Sequence, residues 1–128
     1  MTGDLPFGVI QAPAFVRKDS RGTFEEILNV GRWESLICGS MDKGAAMGHH
    51  YHAHTVVFFY LLEGSSHIIT VDVPSNHRNE FTIRAGQGFL FRPSEARVIT
   101  HLEPVRFLMM KSHRFDPKAP DLIEYRVT

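Results

Sequence analysis

The stretch Gly44-Ala45-Ala46-Met47-Gly48-His49-His50-Tyr51-His52-Ala53-His54 holds four of the eight histidines in the chain. Side chains alternate between the two faces of an extended strand, so His50, His52 and, where extension continues, His54 share one face. Imidazoles two apart on a strand can converge on one metal ion, or one can serve as a base while the other orients a substrate. Histidine as polar filler on a wet surface strand is the competing reading of the stretch taken alone.

Outward from these histidines, nearly every segment reads as a short strand bounded by Gly, Pro, Asn or Asp. The clearest runs are 23–28, 35–38, 56–62, 67–73, 81–83, 89–92, 97–100 and 105–111, with a last strand at 123–127. Punctuation comes from Gly31, Asp42-Lys43-Gly44, Glu63-Gly64, Pro74-Ser75-Asn76, Gly86-Gln87-Gly88, Pro93 and Glu103-Pro104. No window keeps a helical apolar period for three turns. Strands at this spacing predict a sandwich or barrel, since closure hides edges that would otherwise aggregate. We therefore expect an all-β, single-domain, barrel-like jelly roll over 1–128. The segment 115–121 reads as an extended arm able to pair with a second subunit. Phe58, Phe59, Phe89 and Phe91 alternate with aliphatics and are assigned to the core, as is Trp33.

Composition narrows the function classes. The chain has 128 residues, 14 basic and 14 acidic, so no net field draws in nucleic acid or an anionic membrane. The apolar run 55–62 is far short of a membrane span. The segment 1–10 carries Asp4 and no Lys or Arg, unlike a secretory leader. A single cysteine, Cys38, excludes an internal disulfide framework and a cysteine-based zinc cluster. These features predict a cytoplasmic protein.

The spacing of Gly44, five residues, His50-x-His52, four residues, position 57, six residues and Gly64 resembles the first motif of the cupin superfamily, G-x5-H-x-H-x4-E-x6-G. The second cupin motif, G-x5-P-x-G-x2-H-x3-N, falls on Gly86 to His101. The resemblance implies a double-stranded β-helix, in agreement with the strand pattern. The chain departs from the motifs at Val57 in the glutamate position and Arg97 in the second-motif histidine position. Arg92, Ser94 and His101 stand at the proline, glycine and asparagine positions. Of the residues that hold metal in this family, His50 and His52 remain.

Before the histidines, Asp19-Ser20-Arg21-Gly22-Thr23-Phe24-Glu25-Glu26, with Gly48-His49-His50-Tyr51, resembles the dTDP-4-dehydrorhamnose 3,5-epimerases. The segment Gly48 to His52 is also similar to the sugar-nucleotide 3,4-ketoisomerases. The ending Phe115-Asp116-Pro117-Lys118-Ala119-Pro120-Asp121 is similar to the tail of capsular-polysaccharide cupins. Met47 stands where the first two families have arginine.

These resemblances imply proton transfer beside the carbonyl of a nucleotide-linked keto-sugar, by a cytoplasmic homodimer with no nucleic-acid or membrane partner. His50 then matches the base position, His52 completes a histidine pair, and Arg97 steadies an oxyanion or an anionic substrate group. Arg21, Arg92 and His101 are candidates for substrate contact, with Arg17 and Lys18 beside Arg21 as a basic cluster. The proton donor is not assigned, because alternation turns Tyr51 away from His50, and turns Tyr60 away wherever Val57 faces inward. The second reading is a metal-dependent cupin, an oxygenase or a natural-product cyclase or isomerase. It would hold one divalent ion (zinc, iron, manganese or nickel) on His50, His52, His54 and His101. The third is a cupin that binds a small molecule without chemistry. Arg97 itself suits a bidentate grip on a carboxylate or phosphate, unless Glu95 or Glu103 already partners it.

Overall fold

The computed structural model describes residues 5–128, so the expectation for Met1 to Asp4 lies outside the described residues. The described residues form strands and loops without a helix, as the sequence predicts. No helix among them is long and apolar enough to cross a membrane.

The strands are β1 (Phe15–Asp19), β2 (Gly22–Glu26), β3 (Ser35–Met41), β4 (Ala46–His52), β5 (Val57–Glu63), β6 (Ser65–Asp72), β7 (His77–Arg84), β8 (Gly88–Phe91), β9 (Glu95–His101), β10 (Val105–Lys111) and β11 (Leu122–Glu124). β1 and β2 form a two-stranded sheet of their own, and the other nine form a four-stranded sheet, β3-β10-β5-β8, facing a five-stranded sheet, β11-β4-β9-β6-β7. Every pairing is antiparallel.

Alternation along β5 sorts its side chains into two layers. Val57, Phe59 and Leu61 point between the sheets, where they meet Ile68, Phe91 and Phe107. Phe58 and Tyr60 point outward and pack with Val56 and Leu90 under Leu28 and Trp33. On the far side, Ile69, Ala96 and Val98 are covered by Tyr125 and Val127 of the C-terminal tail. All four assigned phenylalanines are buried. Each such ring contributes about 1.5–3 kcal/mol to folding. Trp33 packs in the outer layer with its indole N–H donated to the Val30 carbonyl at 2.9 Å.

Two expectations need correction. Residues 15–19 form a strand the sequence pattern did not reveal, because the β1–β2 hairpin buries neither face and so shows no alternation. Its turn is closed by Asp19, whose Oδ1 accepts the Arg21 N–H at 2.9 Å. Glu25 and Glu26 are both exposed there. The last strand ends at Glu124, and Tyr125 N–H donates instead to the His49 carbonyl at 2.8 Å. The arm 115–121 folds onto its own chain, where β11 pairs with β4 and Asp121 accepts bonds from His54 and Thr55.

Candidate active site

Strands β4 and β9 lie side by side, with His50 opposite Arg97. The pairing slips between Gly48 and His50, and this bulge decides which histidines face inward. Met47 packs against the inner core. Unbroken alternation from it would send positions 49 and 51 inside and put 50 and 52 outside. Gly48 at φ 117° and His49 at φ 55° absorb the extra residue. A side chain at Gly48 would put its Cβ 2.3 Å from the Arg97 carbonyl oxygen, so only glycine permits the approach. His49 turns outward, and its Nδ1 accepts the Val127 N–H at 3.2 Å.

His50 and His52 then meet edge to face, with ring centroids 5.4 Å apart and planes at 88°. They line a cavity of about 220 Å³ between the sheets, together with Arg97, Lys111 and apolar walls that include Ile37, Met47, Val57 and Met109. The Nδ1 of His50 lies 3.1 Å from the Gly48 carbonyl. A carbonyl only accepts, so Nδ1 carries the proton and Nε2 keeps the lone pair of the neutral ring. Burial, and then the nearby Arg97 cation, hold the His50 pKa below the ordinary histidine value. The same two causes push His52 down to about 4, against the opposing pull of Asp121. Both rings are therefore held toward the neutral form.

Arg97 is 3% exposed. Its Nη1 donates to the Glu95 backbone carbonyl at 3.1 Å, and its guanidinium carbon lies 4.4 Å from the Phe91 ring centre. Neither expected carboxylate bonds it directly, though the nearby Glu95 charge favours its protonated form. The Glu95 carboxyl accepts the Arg92 backbone N–H, and that of Glu103 accepts from the Ser65 hydroxyl. The Arg97 Nη2 is buried without a hydrogen-bond partner. Burial lowers its pKa to about 10.

The remaining candidates lie elsewhere. Arg21 is exposed on the β1–β2 hairpin and pairs with Asp19 at 2.7 Å. Arg92 is exposed at the end of β8 and sits over the Phe7 ring at 5.2 Å. His101 does share the inward face with Arg97, but four residues of strand separate them by about 13 Å. It is 1% exposed, with Nδ1 2.8 Å from the Ser66 hydroxyl and its ring stacked on Phe59. His54 lies past the end of β4, is exposed, and lines an adjoining hollow of about 310 Å³ that also touches His52, Lys111 and Asp121. The donors Arg21, Arg92 and His101 thus do not border the cavity.

The set His50, His52, His54 and His101 does not assemble into a ligand sphere. Among the described residues no three His, Cys, Asp or Glu side chains come together in a way that would hold a metal ion. Val57 offers no donor, and Arg97 brings a cation where a third ligand would stand. The side chains present do not fit a resident divalent ion.

The sequence reading missed Asp121. Its carboxylate accepts the N–H groups of His54 and Thr55, each at 2.9 Å, and the Thr55 hydroxyl. It also stands 3.7 Å from His52 Nδ1. Burial pushes its pKa up, but the bonds from Thr55 and His54 outweigh this and lower it. Neither tyrosine near the histidines reaches the cavity, since Tyr51 packs against Tyr125 outside and Tyr60 against Phe58.

Comparison with solved structures agrees with this architecture. The chain is similar to the capsular polysaccharide assembling protein CapF from Staphylococcus aureus, with a TM-score of 0.68 and 20% identity over 88% of this chain and 34% of that one. It is similar to dTDP-4-dehydrorhamnose 3,5-epimerase from Elizabethkingia anophelis, with a TM-score of 0.73 and 20% identity over 90% of this chain and 75% of that one. A 3,4-ketoisomerase from Helicobacter canadensis gives a TM-score of 0.73 and 13% identity over 90% of this chain and 88% of that one. Its fold is the cupin jelly roll. The chain spans about a third of the length of CapF. No family model and no curated protein matches it.

Proposed function

We propose that this cupin is an isomerase that moves a proton beside the carbonyl of a nucleotide-linked keto-sugar. The observation that carries the reading is the His50–His52 pair, held toward neutrality, sharing one cavity with a buried guanidinium whose Nη2 has no hydrogen-bond partner. The cavity has room for a sugar-sized group, so the nucleotide lies outside it, toward the adjoining hollow.

In this mechanism His50 Nε2 takes the proton from the carbon next to the carbonyl. The electron pair moves onto the carbonyl oxygen, and Arg97 supplies positive charge beside the resulting enolate. The protonated His50 then returns the proton to carbon. No tyrosine faces the cavity, so one imidazole both removes and restores it, on one face of the sugar. That geometry suits moving the ketone to the neighbouring carbon, with neutral His52 relaying the hydroxyl proton between the two oxygens. The solved epimerases and ketoisomerase share the fold, which supports this class of chemistry.

The test is to incubate the chain with a dTDP-4-keto-6-deoxy sugar in D2O and follow deuterium at the carbons flanking the carbonyl by NMR. Exchange is expected in the unmodified chain, with or without a chelator. It should fall by about 10²–10⁴-fold in His50→Gln, the usual worth of a positioned base. Exchange by His50→Gln at the unmodified rate would remove His50 as the base. No exchange in the unmodified chain would leave a binding protein.

A further inference from the structure

We propose that this cavity binds an acidic sugar in preference to a neutral one, and that Arg97 grips its carboxylate before any chemistry occurs. The inference rests on the cavity being a sugar site, but not on His50 acting as a base.

The free donors of Arg97 define the missing partner. Nη1 is engaged by the Glu95 carbonyl, and Phe91 lies against the guanidinium at 4.4 Å. Of the other donors, Nη2 is buried with no acceptor, on a side chain that borders the cavity. A guanidinium offers its N–H groups in its own plane, which matches the two oxygens of a carboxylate.

Charge points the same way. The cavity is lined by two cations, Arg97 and Lys111, and by no carboxylate. The nearest acids are occupied elsewhere: Glu95 on the Arg92 backbone and Asp121 on His54 and Thr55. Both histidines are held toward neutrality. Glu95 acts on Arg97 only through its charge, without a side-chain hydrogen bond, and an unmet donor is unfavourable in apolar surroundings, so a fold that keeps Nη2 buried and unbonded favours an anion there. A phosphate dianion asks for more donors than one guanidinium edge supplies inside apolar walls. A single-charge carboxylate on a sugar ring matches both the charge and the space.

This differs from Arg97 acting solely on the enolate. An oxyanion that forms only during reaction leaves the guanidinium unmatched in the resting complex, and a neutral sugar would then bind as well as an acidic one.

The probes are UDP-glucuronate and UDP-glucose, which differ in the carboxylate alone. Their affinities are measured by calorimetry on the unmodified chain and on Arg97→Met and His50→Gln. The acid should bind at least about tenfold more tightly to the unmodified chain, the worth of a charge-assisted pair. His50→Gln should keep that preference, and Arg97→Met should lose it. Equal binding of the two probes to the unmodified chain, binding of neither, or a preference that survives Arg97→Met would each overturn the proposal. Should Arg97→Met not fold, the comparison on the unmodified chain still decides. A preserved acid preference with no deuterium exchange would sink the base and leave the carboxylate grip standing.

Discussion

Replacing Arg97 by methionine should make the empty protein more stable while removing its ligand preference. Burial holds the Arg97 pKa at about 10. At 1.4 kcal/mol per tenfold in proton affinity, keeping this side chain charged costs the folded state about 3 kcal/mol. Two contacts offset part of that cost. The Phe91 face contributes about 1 kcal/mol as a cation–π contact, of which a methionine sulfur recovers some. The bond from Nη1 to the Glu95 carbonyl contributes about 1 kcal/mol. The balance is a gain of about 1–2 kcal/mol for the variant, or roughly 5 °C in Tm for a chain of this length.

The sign with pH follows from the same shift. The folded state disfavours the charged form, so the penalty is fully present at neutral pH and shrinks only above about pH 10. Thermal unfolding of both proteins at pH 7, without ligand, is the assay. A fall in Tm for Arg97→Met, beyond a degree or two, would refute the reasoning. It would mean that the guanidinium is already partnered within the folded chain.

Three further outcomes follow from the site. His52, lowered from 6.5 to about 4, contributes stability that is present above about pH 6.5 and lost as pH falls toward 4. Tm against pH should therefore drop less steeply in His52→Gln over that interval, with His50 and His101 leaving some slope because both are also lowered. An unchanged slope would place His52 in water. Gly48→Ala forces a Cβ against the Arg97 carbonyl at a φ of 117°. It should cost about 2–4 kcal/mol in denaturant unfolding, and a near-neutral result would dissolve the bulge argument. Asp121→Ala unties the arm from His54 and Thr55. It should cost about 2 kcal/mol and expose the arm to protease, and an arm as resistant as before would show that β11 pairing alone holds it.

Much of the architecture was legible because burial is written into the composition of a strand. Val57-Phe58-Phe59-Tyr60-Leu61 and Phe89-Leu90-Phe91 are apolar throughout, and that is the signature of strands covered on both faces, here by the facing sheet and by outer segments. The same rule fails where its premise fails. The β1–β2 hairpin lies exposed on both faces, so nothing constrains which of its residues are apolar.

At the site, the pairing of His50 with His52 came from alternation alone, yet their inward direction depends on a bulge that alternation does not contain. Gly48 is the one local signal for it, and a glycine inside a strand has several meanings. The reach of His101 was overestimated for a related reason: alternation fixes the face and says nothing of depth, and Ile99 lies between it and Arg97. Asp121 was invisible because its role depends on a contact across 66 residues of chain to Thr55.

What distinguishes this cavity from a metal well is a charge exchange at one position of β9. A third histidine opposite His50 would bring a lone pair and recruit a divalent cation to face the substrate. Arg97 instead supplies the cation covalently and leaves no donor set for a metal. The electrostatic consequences for the neighbours run in the same direction, since either cation lowers the proton affinity of the paired imidazoles and attracts negative charge. The difference is in strength and shape. A metal accepts any lone pair at an open position and polarises it strongly, whereas a guanidinium clamped by Phe91 and the Glu95 carbonyl presents one edge in one plane. Lewis-acid power is thereby given up for selectivity in which anion enters. A site built this way discriminates before it reacts, so the identity of the bound acid, and not the rate of proton transfer, is where this chain should differ most from the epimerases whose fold it shares.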